Sequence, residues 1–147
     1  MKLVNISENI TLLEEIDKFS QEISNYYPDY NEWFQERMIP GIIDHTREII
    51  CITDEEIIGF ISLKKEEKKI CTIFVDKKYR RQGFGTILVD KGIEYLEEEK
   101  PLITIPISLQ EEYSEIIRNH NWSITGTDGE ELIVNGRNKV YSKKDMI

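Results

Sequence analysis

The chain has few of the features that mark membrane, secreted or metal-binding proteins. No apolar run approaches the ~20 residues that cross a bilayer. The first ten residues, MKLVNISENI, lack an apolar segment with a small-residue cleavage site, so we expect no signal peptide and a cytoplasmic protein. The formal net charge of −9 argues against a nucleic-acid groove and favours a soluble protein that attracts cationic partners.

Cysteine and histidine are also scarce, with two of each. Cys51 and Cys71 lie in β-branched runs, which favours buried free thiols over a disulfide or a metal site. His45 and His120 stand apart from each other and from any cysteine or carboxylate at ligand spacing, so we expect surface or helix-end residues. The sequence therefore predicts no metal cofactor.

What is present is the pattern of one α/β domain. At 147 residues the chain can bury one hydrophobic core, and it has no repeat or linker, so residues 1–147 are expected to form a single domain. Apolar and polar residues alternate in KLVNIS, which predicts a short first strand. Three β-branched runs predict a meander over 47–53, 57–63 and 69–75. A strand over PLITIPI and a hairpin turning at Asp128-Gly129 follow.

Apolar residues at helical spacing predict four helices around these strands. The second is expected from about residue 31 to residue 38, before a break at Pro40-Gly41, and the third over 85–99. Capping boxes are predicted to open the first and last helices, at Thr11/Glu14 and Ser108/Glu111. This order of elements predicts an α/β fold with a mixed, mostly antiparallel sheet of about seven strands.

The stretch YRRQGFGT, residues 79–86, falls between the predicted strand 69–75 and the helix that follows it. Backbone N–H groups and the positive end of a helix dipole bind anions at such a junction, and Gly83 and Gly85 permit close backbone approach. A dinucleotide fingerprint is excluded because position 88 is leucine, and the chain has no Gly-Lys-Ser/Thr ending of a P-loop. A glycine-rich helix entry without a ligand is the alternative.

Residues 80–85, RRQGFG, match the Arg/Gln-x-x-Gly-x-Gly/Ala motif of the GNAT acyl-CoA-dependent N-acetyltransferases, at the same strand-to-helix junction. The stretch ICTIFVDKKYRRQGFGTILVDKGIEYLEEE resembles the core of that superfamily, and the element order resembles it from the first strand to Gly136. The resemblance implies a GNAT-like fold in which the strands before and after the long helix splay apart. Pro106 independently favours weak pairing where it stands, because it has no N–H to donate.

The same resemblance implies acetyl-CoA as the co-substrate. Backbone N–H groups from Arg81 to Thr86 would hold the CoA pyrophosphate, and the strand before them would border the pantetheine arm. The implied cofactor-binding residues are Ile73, Phe74, Val75, Arg80, Arg81, Gln82, Gly83, Phe84, Gly85 and Thr86. The backbone N–H of Val75 is the implied donor to the oxyanion of the tetrahedral intermediate.

The sequence departs from the family where catalytic side chains are expected. The tyrosine that protonates the thiolate in many members aligns with Ile117, which cannot serve as an acid. Tyr113, one turn earlier, is a candidate acid, with a packing role as the alternative. Some members carry a glutamate base at the position of Lys69, and Glu67 in the nearby turn is the candidate base here.

Aromatic residues crowd the region between the first two predicted helices, where the acceptor pocket of such enzymes forms. Tyr27, Tyr30 and Trp33 are therefore candidate acceptor-binding residues, with core packing as the alternative. The carboxylates of Asp29 and Glu32 beside them favour an amine-bearing acceptor, because aromatic faces and carboxylates attract ammonium groups.

Together these features predict an N-acetyltransferase that moves an acetyl group from acetyl-CoA to a primary amine of a small molecule or protein. A module that binds acyl-CoA or another protein after losing turnover is the alternative, which Ile117 and Lys69 favour. We expect no nucleic-acid or membrane partner, and both a monomer and a homodimer stay open.

Overall fold

The computed structural model describes residues 1–25 and 28–136, which fold around one seven-stranded sheet. The strands are β1 Lys2–Asn5, β2 Arg47–Asp54, β3 Glu56–Lys64, β4 Lys69–Val75, β5 Leu102–Pro106, β6 Ile124–Asp128 and β7 Glu131–Val134. Their order across the sheet is β1-β2-β3-β4-β5-β7-β6. Neighbours pair antiparallel except β4 and β5, which are parallel, so the sheet is mixed and mostly antiparallel, as predicted.

Four helices of the described region pack on this sheet. They are α1 Leu13–Phe19, α2 with its segments Tyr30–Trp33, Phe34–Met38 and Ile39–Ile43, α3 Phe84–Leu96 and α4 Gln110–Asn119. Residues of α1 and α2 form one core with one face of the sheet, and residues of α3 form a second core with the other face. None of the helices within 1–25 and 28–136 is long and apolar enough to cross a membrane.

The central meander follows the prediction to within one residue at each end. Because helices cover both faces, β2 and β3 are buried along nearly their whole length and are rich in isoleucine at inward and outward positions alike. Gly92 lets α3 lie close to β3, since a Cβ there would approach Ile61 Cδ1 to 2.9 Å. Cys51 and Cys71 are buried free thiols in this core, as predicted.

The predicted hairpin turn is also confirmed, and a second left-handed residue ends the last helix. Gly129 has a positive φ of 60° at the tip of the hairpin between β6 and β7. Asn121, after the end of α4, has φ of 56°, the left-handed conformation that asparagine tolerates better than most residues. Both positions depend on local backbone geometry, which a short stretch of sequence encodes.

The two predicted capping boxes are wrong. α1 begins after a 3-10 turn at Ile10–Leu12, and α4 begins after another at Ile107–Leu109. The residue preceding each helix is therefore a leucine, which has no side-chain oxygen, and neither N-cap makes a side-chain hydrogen bond. Thr11 and Ser108 lie inside the 3-10 turns, where they cannot cap the helix that follows.

The predicted helix end before Pro40-Gly41 is also wrong, because α2 continues to Ile43. The middle segment of α2 is a π-helical turn, closed by a hydrogen bond from the Ile39 N–H to the Phe34 carbonyl. Pro40 then falls in the first turn of the segment Ile39–Ile43. Proline is tolerated at that position because a helix leaves its first N–H groups unpaired.

Candidate active site

A gap in the sheet opens between β4 and β5. Their parallel pairing is limited to Lys69 with Leu102 and Ile70 with Ile103. The N–H of Leu102 bonds to the Lys68 carbonyl on the β4 side, and the N–H of Ile107 bonds to Glu130 on the other side. Successive residues of a strand direct their N–H groups to opposite sides, so the backbone nitrogen of Pro106 points toward β4. Proline has no N–H, and it therefore donates no hydrogen bond to β4 at this position. The predicted splay and its proline are therefore confirmed.

A cavity of about 1000 Å³ runs along this gap. Ile73 and Val75 line it from the face that carries α3, whereas Cys71 and Phe74 line it from the face that carries α1 and α2. The cavity therefore gives access to both faces of the sheet through the gap. Ile23, which follows α1, is also part of its wall.

The backbone of β4 presents alternate residues to the gap. The N–H of Asp76 bonds to the Ile58 carbonyl on β3, and Phe74 pairs with Phe60 on the same side. In an antiparallel ladder the residues between such pairs turn their N–H and C=O groups away from the partner strand. Ile73 and Val75 therefore direct their peptide groups toward the gap, while Phe74 contributes its side chain to the cavity wall.

The loop after β4 leads into the N-terminus of α3 at one end of the cavity. Gly83 precedes the helix with φ of 87°, and the first helical hydrogen bond runs from the Ile87 N–H to the Gly83 carbonyl. The N–H groups of Phe84, Gly85 and Thr86 consequently have no acceptor within the helix, which has 13 residues. A Cβ on Gly83 would meet no atom within 4 Å, so the space beside this backbone is open. The geometry fits an anion.

The two motif arginines have different surroundings. Arg80 turns inward: its Nε donates to the Val75 carbonyl at 2.8 Å, and its Nη2 lies 3.0 Å from a Glu22 carboxylate oxygen. Its guanidinium also lies 5.6 Å from the centre of the Phe74 ring. Arg81 is exposed at the cavity wall and forms no salt bridge with any residue that the structure describes. Its charge is therefore available to an anion in the loop.

The other residues of the predicted cofactor site also differ in whether they line the cavity. Gly83, Phe84, Gly85 and Thr86 line the cavity. Gln82 does not line it, and its side-chain amide donates to the Lys78 carbonyl at 3.2 Å. Arg118 on α4 also lines the cavity, although no motif pointed to it. Its spacing of four residues after Ser114, which also lines the cavity, could have identified it as a residue on the same side of α4.

Tyr113 reaches across the gap. Its hydroxyl donates to the Ile73 carbonyl at 3.1 Å, and its half-buried ring packs against the core under α3. Ile117 packs against the same core with an apolar side chain. Glu67 lies in the turn between β3 and β4, where its carboxylate is 3.7 Å from Lys64 Nζ. The structure thus brings Tyr113, but not Glu67, to the gap.

The predicted acceptor cluster is divided between the core and a second cavity. Tyr30 is buried, donates to Ser20 Oγ at 3.2 Å and packs against Phe34. Burial raises the pKa of its hydroxyl well above the usual range, so it stays protonated. Trp33 lines a second cavity of about 770 Å³ between α2 and the turn at 65–68. Tyr27 lies outside the described residues.

Comparisons with known proteins agree with this geometry. The profile of the Acetyltransferase (GNAT) family matches residues 10–109, whereas no curated protein matches the chain. Three solved structures share the fold. A GNAT-family acetyltransferase from Staphylococcus aureus Mu50 has 19% identity and a TM-score of 0.63, and the match covers 90% of this chain and 98% of the other. The N-acetyltransferase PseH from Campylobacter jejuni has 22% identity and a TM-score of 0.61, with 90% and 94% covered.

The third is an aminoglycoside 6'-N-acetyltransferase in complex with coenzyme A, with 13% identity, a TM-score of 0.63, and 91% and 94% of the two chains covered. These identities establish a shared fold. The family profile adds the sequence relationship, since it spans the meander, the glycine-containing loop, α3 and β5. With a splayed sheet, a helix start whose geometry fits an anion, and this match over more than half of its length, the chain belongs to the GNAT family of acetyltransferases.

Proposed function

We propose that the protein transfers an acetyl group from acetyl-CoA to a primary amine of a small molecule or protein. The observation that carries the proposal is the continuous cavity that joins the start of α3 to the gap beside Val75. Such a shape suits a long ligand with an anionic end and a reactive end. The anionic end would lie at the loop, and the reactive end would lie between the two faces of the sheet.

In this proposal the loop binds the CoA pyrophosphate. The N–H groups from Arg81 to Thr86 supply hydrogen-bond donors, and the Arg81 guanidinium supplies charge. The pantetheine arm follows β4, where the peptide groups of Ile73 and Val75 turn toward the gap. Arg80 does not touch phosphate. It holds the Val75 carbonyl and thereby fixes the end of the strand.

The reaction requires few side chains. The lone pair of a neutral amine attacks the thioester carbon, the carbonyl oxygen becomes an oxyanion, and the C–S bond breaks to release CoA thiolate. The N–H of Val75 turns toward the gap, and in this proposal it donates to that oxyanion. The Tyr113 hydroxyl lies at the gap but donates to the Ile73 carbonyl, and a thiolate can leave without a dedicated acid, whereas water can take the proton of the amine.

A pair of matched glycine variants tests the binding step. Gly83 and Gly129 both have positive φ, and a Cβ on either would meet no atom within 4 Å, so a valine at either site costs comparable backbone strain. At about 100 times its dissociation constant, acetyl-CoA should stabilise the protein by about 2.7 kcal/mol in thermal denaturation. We expect Gly129→Val to keep this stabilisation and Gly83→Val to lose it. If acetyl-CoA stabilises Gly83→Val as much as the wild type, the loop is not part of the binding site.

A turnover measurement separates an enzyme from a module that only binds acyl-CoA. The apolar Ile117, packed in the core where many relatives carry a tyrosine, favours the second candidate. Release of free CoA thiol is measured with acetyl-CoA and a panel of primary amines. We expect release that depends on the amine. Binding of acetyl-CoA without amine-dependent release would favour the module.

A further inference from the structure

A polar stripe on α4 forms part of the wall of the main cavity. Its residues recur at intervals of three or four along the helix, so they share one side of it: Glu111, Ser114, Glu115 and Arg118. All four side chains are exposed. The apolar side of α4 carries Ile116 and Ile117, which pack against the core under α3. The stripe is therefore accessible to a ligand and is not required by the core.

Arg118 supplies the positive charge of this stripe. Glu115 precedes it by three residues, a spacing at which opposite charges on a helix often pair. Among residues 1–25 and 28–136, however, Arg118 forms no salt bridge with any carboxylate. Its guanidinium is therefore available to a group outside the protein.

The last turns of α4 lie beside the first turns of α3. A Cβ on Gly85 would be 3.5 Å from Ile116 Cδ1. Five residues further along α3, Asp90 Oδ1 is 2.9 Å from His120 Nε2. Arg118 falls between Ile116 and His120 in the sequence, so its backbone lies next to the start of α3. Its side chain lines the same cavity as Gly85. Arg118 is thus a cation near the backbone donors of the loop but carried by another element.

Three cationic side chains line the main cavity within the part of the chain that the structure describes. Arg80 is occupied by the Val75 carbonyl and the Glu22 carboxylate. Arg81 lies in the loop itself, where the proposed function places the pyrophosphate. Arg118 remains, and a pyrophosphate held by the loop leaves its charge without a partner. The cavity therefore offers a positive charge for a second anionic group.

Coenzyme A carries such a group in addition to its pyrophosphate. The 3′-phosphate of its ribose is a monoester, and a phosphate monoester has a charge of about −1.5 to −2 at neutral pH. A guanidinium can donate two parallel N–H bonds to phosphate oxygens, which a lysine ammonium cannot. We propose that Arg118 binds this 3′-phosphate and makes the protein selective for acyl-CoA over acyl thioesters that lack it. This inference rests on the proposed function and names how that site selects its co-substrate.

The carboxylates of the stripe restrict where a phosphate can bind along α4. Glu111 and Glu115 repel an anion, so attraction is expected only at the end of the stripe that carries Arg118. A basic residue in the last turn of a helix also interacts favourably with the helix dipole. That interaction involves no ligand, so its loss would affect every CoA derivative alike. An effect confined to ligands with the 3′-phosphate separates the two roles.

Titration calorimetry with CoA and 3′-dephospho-CoA tests the role of Arg118, because the two ligands differ only in this phosphate. We expect the wild-type protein to bind CoA at least about tenfold more tightly, since charge-assisted hydrogen bonds to phosphate are strong. Arg118→Gln should lose this preference and keep the wild-type affinity for 3′-dephospho-CoA. Lys91→Gln is the control: it removes one positive charge from α3 outside the cavity, where Lys91 pairs with Glu94, and it should keep the preference.

Three outcomes would each overturn the role of Arg118: equal affinities of the wild type for the two ligands, a preference that persists in Arg118→Gln, and an equal loss of affinity for both ligands in that variant. These outcomes leave the proposed function intact, because both ligands carry the pyrophosphate and the pantetheine arm. If neither ligand binds, the proposed function fails together with the inference. If the preference depends on Arg118 but no amine-dependent release of CoA occurs, the phosphate site stands and the protein is a module that binds acyl-CoA.

Discussion

Replacing Lys69 by methionine should make the protein more stable at neutral pH. The side chain is 0% exposed and unpaired within the described region, and methionine has a similar length without the charge. Burial lowers the pKa of Lys69 from 10.5 to about 8. At about 1.4 kcal/mol per pH unit, that difference corresponds to about 3 kcal/mol of destabilisation by the protonated amine. Lys69→Met should therefore gain up to about 3 kcal/mol in the free energy of unfolding at pH 7.

The stability difference between the wild type and Lys69→Met should depend on pH, which a difference in packing alone would not produce. Below about pH 8 the amine is protonated in both states, and the full cost is present. Between about pH 8 and 10.5 the unfolded chain binds more protons than the folded one, so the wild type becomes more stable relative to Lys69→Met as the pH rises. Above that range the charge no longer contributes to the difference.

Urea denaturation of both proteins at several pH values between 7 and 10.5 measures the difference, in which all other titrating groups cancel. Lys65→Met serves as the control, and its stability difference should not vary with pH in this way. A Lys69→Met protein that is less stable at pH 7, or a difference that stays constant across the range, would refute the reasoning from burial.

Two further predictions concern the gap in the sheet. Tyr113→Phe removes the hydrogen bond to the Ile73 carbonyl, and we expect kcat for amine acetylation to fall less than about tenfold; a loss of a hundredfold or more would identify a general acid. Glu22→Gln removes the charged partner of Arg80, so it should raise the KM for acetyl-CoA several-fold while changing the unfolding free energy by less than about 1 kcal/mol. Glu56→Gln breaks the exposed pair with Lys78 in the same loop and should leave the KM unchanged; equal effects of the two variants would contradict a positioning role for Glu22.

Local patterns predicted the parts of the fold that depend on local chemistry. The meander from 47 to 75 has β-branched runs and polar turns, and its strands begin and end where those runs do. The helix starts at Thr11 and Ser108 were wrong because a capping box is a pattern of residue types, whereas the structure enters both helices through 3-10 turns. Pro40 predicted a helix end. The π-helical turn before it places Pro40 in the first turn of the next segment, where proline does not interrupt the helix.

The site was predictable where one loop forms it and was not where distant segments meet. The motif 80–85 placed the backbone donors at the start of α3. It did not reveal that Arg80 turns inward, because Glu22 lies 58 residues away in sequence. The sequence partly predicted that three cations lie side by side in the sheet, because Lys64 and Lys69 flank a four-residue turn and pair across it. Arg47 joins them only through the register of β2 with β3.

The open gap has an asymmetry that bears on its ligand. A strand without a neighbour presents both N–H and C=O groups, and each needs a partner. On β4 the protein supplies donors to two carbonyls, from Tyr113 to Ile73 and from Arg80 to Val75. The N–H groups of the same two residues turn toward the gap, and those at the start of α3 have no helical acceptor. The β4 edge and the loop therefore present mainly backbone donors, whereas Glu111, Glu112 and Glu115 add carboxylates to the α4 side of the wall. The part of a ligand that follows β4 and the loop must be rich in acceptors. Phosphate oxygens, amide carbonyls and a thioester carbonyl meet that requirement in the order in which acyl-CoA carries them, which supports acetyl-CoA over a ligand that offers donors.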